Sequence, residues 1–166
     1  MTQIFIEIAY DAWNDKVPGV EERCRHVAAI ALGAAAPNLD LPAERLEVSI
    51  LLTDDAQVQA LNAEYRQQDK PTNVLSFAAL DEDSPLPPDG PILLGDVIVA
   101  YQTTELEARD EGKSFADHLS HLVVHGVLHL LGYDHIADDE AEEMESLERS
   151  ILAALGVPDP YKDAPS

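Results

Sequence analysis

The stretch SFADHLSHLVVHGVLHLLG, residues 114–132, constrains this chain more than any other. Its apolar residues recur nearly all round a 3.6-residue period, so it forms a helix with almost no face for water, and the rest of the fold must surround it. Ser114 and Asp117 make a capping pair at its start. Gly132 offers the stop, because glycine accepts the left-handed conformation that ends helices.

The flanking segments supply the surrounding layers. Ile4, Ile6 and Ile8 alternate within residues 3–9 and predict a strand. An Ala-rich helix runs over about 19–36 and ends before Pro37, and RLEVSILL (45–52) is a second strand. Thr53 and Asp54 are N-cap candidates for a helix through AQVQALNAEYR. NVLSFA (73–78) and ILLGDVIVAY read as two more strands, separated by an acidic, proline-rich surface loop at 81–90. Asp96 lies inside the second of these apolar runs, so a partner is expected for it. QTTELEARDEGK predicts a short helix closing near Gly112, and ADDEAEEMESLERSILAALG a last amphipathic one. The acids of that last helix suit the dipole at its start, and DDEAEE reads as a solvated face. No internal repeat occurs. The expected fold class is α+β (mixed α/β), with about four strands and four to five helices. Residues 1–156 form one domain and 157–166 a loose tail.

At 166 residues, 46% hydrophobic and 25% charged, the chain suits a single soluble domain. The only cysteine, Cys24, sits in the helical run EERCRHVAAIAL and reads as core packing. With no disulfide possible, no basic leader and no long apolar run, a cytoplasmic location without membrane contact is expected. The formal net charge of −22 argues against general nucleic-acid binding, DNA included. Screening softens that objection, because exposed charges beyond about 8 Å are largely damped at physiological salt.

The histidines carry the chemistry. HGVLHLLGYDH, residues 125–135, holds His125 and His129 one helical turn apart on one face. A break at Gly132 lets His135 fold back towards them. Three imidazoles on one point describe a metal site with an open fourth position. The frame matches the H-E-x-x-H-x-x-G-x-x-H of metzincin peptidases, except that Gly126 stands where their glutamate base belongs. His118 and His121 fall with His125 and His129 within an arc of about 80°. They either line the cleft, orient ligands or make ordinary polar contacts. Asp134 and Tyr133 either orient imidazoles or shape the turn. His26 reads as structural.

HGVLHLLGYDH resembles the signature of the YbeY family, bacterial metal-dependent endoribonucleases of ribosomal RNA maturation. EYRQQDKPTNVLSF is similar to that family's R-x-x-D-K-P-T-D-V-L-S-F block, LLGDVIVA to its L-G-D-I-x-I strand, and DDEAEEMESLERSILAALG to its C-terminal helix. The likeness covers roughly residues 45–156 in order. It implies His125, His129 and His135 as ligands of one Zn2+, and Arg66 as the functional arginine. It also implies single-strand-specific cleavage in maturation of the small-subunit rRNA 3′ end and in ribosome quality control. Implied partners are ribosomal RNA and ribosomal proteins or a ribosome-associated GTPase. Asn73 departs from the pattern, standing at the aspartate position; it is either a site residue or a turn cap. Ala78 replaces a usual proline.

Two functional classes compete. In an RNA hydrolase, Arg66 stabilises charge on the transition state, and the nucleophile is either water or the ribose 2′-hydroxyl. In a non-catalytic, zinc-stabilised ribosome-assembly factor, the acidic surface meets basic ribosomal proteins. A peptidase is a distant third, since Gly126 carries no base.

Overall fold

The computed structural model describes residues 3–39, 41–67, 72–79, 88–133 and 138–159. Among them, strands β1 (Gln3–Ile8), β2 (Leu46–Thr53), β3 (Val74–Ala78) and β4 (Ile92–Ala100) form one sheet in the order β1-β2-β4-β3. β1, β2 and β4 run parallel, and β3 is antiparallel to β4. Parallel neighbours require crossovers, and helices supply them. The helices are α1 (Ala12–Lys16), α2 (Val20–Ala35), α3 (Asp55–Arg66), α4 (Tyr101–Asp110), α5 (Phe115–Leu130) and α6 (Asp138–Ala154). The mixed α/β class is as expected; α1, only five residues long, was not.

The period of two in the strands divides the interior. Val48, Ile50, Leu52, Val97 and Val99 join α2, α5 and α6 in the main core. Leu51, Leu75, Phe77, Ile98 and Ala100 point the other way and pack under Val58 and Leu61 of α3. In α2, Cys24, Val27, Ala28, Ala31, Leu32 and Ala35 are buried at helical spacing. Burial pushes the Cys24 thiol up to about 12, so it stays protonated and serves as packing. The packing runs on to Val157, which is buried, while residues 160–166 of the expected tail lie outside the described residues.

Asp96 corrects an expectation. It is exposed, because α3 covers only part of its side of the sheet; water solvates the carboxylate and no buried partner is needed. The strand around it is irregular. Register shifts beside Gly95, where φ is +138° and a Cβ would lie 2.1 Å from the Phe77 carbonyl oxygen. Only glycine fits such a bulge. The loop expected at 81–90 falls largely outside the described residues.

Candidate metal centre

α5 begins where Ser114 accepts a hydrogen bond from the Asp117 N–H, as the capping pair predicts. It ends at Gly132, with φ of +100°. The Gly132 N–H donates to the His129 carbonyl and the Tyr133 N–H to that of Leu128, which closes a helix behind a left-handed residue. Between these ends, Leu119, Val123, Val127 and Leu130 are buried and hold the helix in place. That packing fixes one stripe of imidazoles.

His121, His125 and His129 sit four residues apart along the stripe, each half-buried. His125 Nε2 lies 2.9 Å from His129 Nε2, so two ring nitrogens of the expected trio face each other. Behind them stands Glu148 of α6, fully buried. Its Oε1 is 2.7 Å from His125 Nδ1 and its Oε2 is 3.0 Å from His121 Nε2. Ligand atoms of His121, His125 and Glu148 all lie within 4.8 Å of one another, a donor set able to hold a metal ion. Glu148 escaped the sequence reading. The signal was present: Met144, Glu148, Ile151 and Leu152 are the buried positions of α6, so a carboxylate occupies an apolar stripe.

Gly126 owes its identity to packing. A Cβ there would meet Val97 Cγ1 at 2.6 Å and Ser76 Oγ at 3.3 Å. Ser76 Oγ donates to the Gly126 carbonyl, pinning α5 to β3. The helix therefore presses its backbone against the sheet at the position where peptidases of this frame carry glutamate.

Asn73 and His118 belong to a neighbouring cluster. Asn73 Nδ2 donates to Glu107 Oε1 at 3.0 Å, and His118 Nε2 is 2.9 Å from the same oxygen. A carboxylate only accepts, so an amide facing it must present its NH2. An aspartate at 73 would instead face Glu107 as a like charge. Asn73→Asp should therefore lower stability by about 1–2 kcal/mol, the usual cost of an unsatisfied or opposed polar group. Urea midpoints of both proteins at neutral pH check this; equal midpoints would show that Glu107 does not need the amide.

The remaining expected site residues are unevenly placed. Arg66 is the last residue of α3, followed by Gln67 at φ +57°, the only non-glycine residue with positive φ among those described. The Arg66 side chain, His135 and Asp134 lie outside the described residues. His26 is on the surface of α2.

Comparison with known proteins places this geometry. The family model described as Endoribonuclease YbeY matches residues 8–156. A protein named Endoribonuclease YbeY from Paramagnetospirillum magneticum is 59% identical, covering 96% of this chain and 95% of its own. Another of that name from Rhodospirillum rubrum is 55% identical over 98% of this chain and 82% of its own. A solution structure of a Thermotoga maritima protein shares the fold, with a TM-score of 0.53 and 22% identity over 100% of this chain and 99% of that one. With the match spanning both the α5 histidines and the α6 glutamate, the chain belongs to the YbeY endoribonuclease family.

Proposed function

We propose that this chain is a metal-dependent endoribonuclease of single-stranded RNA, with zinc held by His125, His129 and His135. The observation that carries the reading is the 2.9 Å approach of His125 Nε2 to His129 Nε2. Two imidazole nitrogens this close suit a shared cation: tetrahedral zinc with bonds of about 2.0–2.1 Å keeps its nitrogens about 3.3 Å apart. The donor chemistry fits as well, since imidazole is a common zinc ligand. Bound there, the cation supplies Lewis-acid polarisation of a phosphate oxygen or of water.

The protein groups do the rest. The α5 histidines are held by a buried helix, so the site loses little freedom when it fills. Arg66 is the last residue of α3, and in this reading its guanidinium grips two phosphate oxygens as negative charge builds on them. A divalent cation on three neutral imidazoles also offsets the acidic surface locally. Such a cation would attract a phosphate oxygen at close range, where screening leaves the distant acidic surface little say. Ribosomal RNA of the small subunit is the substrate this reading favours, in its 3′-end maturation and in ribosome quality control within the cytoplasm. Among the described residues no helix is long and apolar enough to cross a membrane.

A second reading, a non-catalytic assembly factor, draws support from the net charge of −22, which suits basic ribosomal proteins or a ribosome-associated GTPase partner. A cleavage assay on labelled single-stranded RNA separates the two. Zinc-loaded protein should cut, and chelated protein and His125→Ala should fall to background. Equal background from all three would reject the nuclease and leave the assembly factor.

A further inference from the structure

We propose that Glu148 is a positioning residue that selects which nitrogen of His125 faces the metal site. The inference rests on the three-histidine reading above and adds a residue to it. A carboxylate fully buried in the apolar stripe of α6 is costly unless its oxygens are matched, and both are. Oε1 takes His125 Nδ1 at 2.7 Å and Oε2 takes His121 Nε2 at 3.0 Å. A carboxylate accepts and does not donate, so each of those ring nitrogens carries its hydrogen. Neutral His125 then has no hydrogen on Nε2, the nitrogen turned towards His129 Nε2. The opposite tautomer would aim a lone pair at the carboxylate and an N–H at the metal. Glu148 excludes it, and the bond also raises the electron-donating power of Nε2.

His121 has a part in this arrangement. It meets the second carboxylate oxygen at 3.0 Å, a contact that helps keep Glu148 from rotating away. The alternative is that His121, His125 and Glu148 themselves surround a cation, since their ligand atoms cluster within 4.8 Å. The distances favour hydrogen bonds. The two rings meet different oxygens, at 2.7 and 3.0 Å, and both lengths lie within the N–H···O range.

Glutamine at 148 is the discriminating substitution. It has the same shape but one acceptor oxygen and one NH2, so it can satisfy only one of the two ring N–H groups. Nitrogen-15 NMR of metal-free wild-type protein in mildly alkaline buffer reads the His125 tautomer directly. The hydrogen should sit on Nδ1; a hydrogen on Nε2 overturns the proposal. Zinc affinity by competition with a chromophoric chelator should fall about 10- to 100-fold in Glu148→Gln, the usual effect of losing such a partner. Unchanged affinity in folded Glu148→Gln, judged by its helical circular dichroism, overturns it too. Cadmium-113 should couple to His125 Nε2, whereas coupling to Nδ1 would put the cation on the Glu148 side of the ring and overturn the proposal. A purely structural Glu148 would shift the melting curve without moving tautomer or affinity. Absence of zinc binding by wild-type protein would reject the nuclease reading, and the tautomer would still decide the role of Glu148.

Discussion

Gly126→Glu, which installs the missing peptidase glutamate, is expected to lower the melting temperature by roughly 10 °C or more, or to prevent folding. Its Cβ alone would stand 2.6 Å from Val97 Cγ1. Val97 is fully buried and β-branched, so it has no spare rotamer through which to retreat. Overpacking of this kind costs about 1–3 kcal/mol, and a carboxylate forced into the same contact adds an unpaired polar group. At about 2–4 °C per kcal/mol for a chain of this size, the combined loss reaches that range. Gly126→Ala should lose less, because alanine regains about 1 kcal/mol of helix propensity. Thermal unfolding followed by circular dichroism measures both. A Gly126→Glu protein that melts with wild type would mean that α5 does not seat its backbone against β4. The glutamate of the peptidase frame is thus missing here, and a side chain at 126 would have to displace Val97.

The second large effect concerns Arg66. Arg66→Ala should keep zinc content and melting temperature near wild type while cutting RNA cleavage by roughly 10²-fold or more, as when one electrostatic stabiliser is lost. Arg66→Lys should recover little, since an ammonium cannot hold two phosphate oxygens in a planar fork. The backbone gives the position some rigidity. Gln67, at φ +57°, closes α3 directly after Arg66, and its N–H bonds to the Asn62 carbonyl. A left-handed glutamine costs about 1–2 kcal/mol relative to a relaxed turn, so the chain direction here is imposed. Single-turnover cleavage beside a melting curve tests the idea. Full cleavage by Arg66→Ala would make Arg66 a helix-end cation, and loss through unfolding would make it structural.

Much of the fold was legible because its signals are local. The buried helix, its Ser114 cap and its Gly132 stop each depend on residues within a turn or two of one another. The cap at Asp54 likewise bonds the Gln57 N–H three residues on. α1 was missed because five residues are too few to display a helical period. Asp96 misled because an acid inside an apolar run implies a partner only where the run is covered. Part of one face is open at Asp96, and that follows from where α3 lies, not from the strand. Glu148 hid behind the exposed acids of the same helix. Its two imidazoles are 23 and 27 residues away in sequence, and the Asn73–Glu107 pair spans 34. Such pairings arise only when elements pack, so periodicity and capping rules cannot reach them. The histidine spacing could be read in advance; the carboxylate behind it could not.

The placement of that carboxylate also sets an order of events during synthesis. His125 emerges from a ribosome before α6 does, and 23 residues separate it from Glu148. At about 5–20 residues per second, the imidazoles exist for roughly one to five seconds with no acid behind them. During that interval either tautomer of His125 is open to the growing chain. The nascent protein therefore carries its histidines early and acquires a defined donor nitrogen only after α6 has emerged and docked.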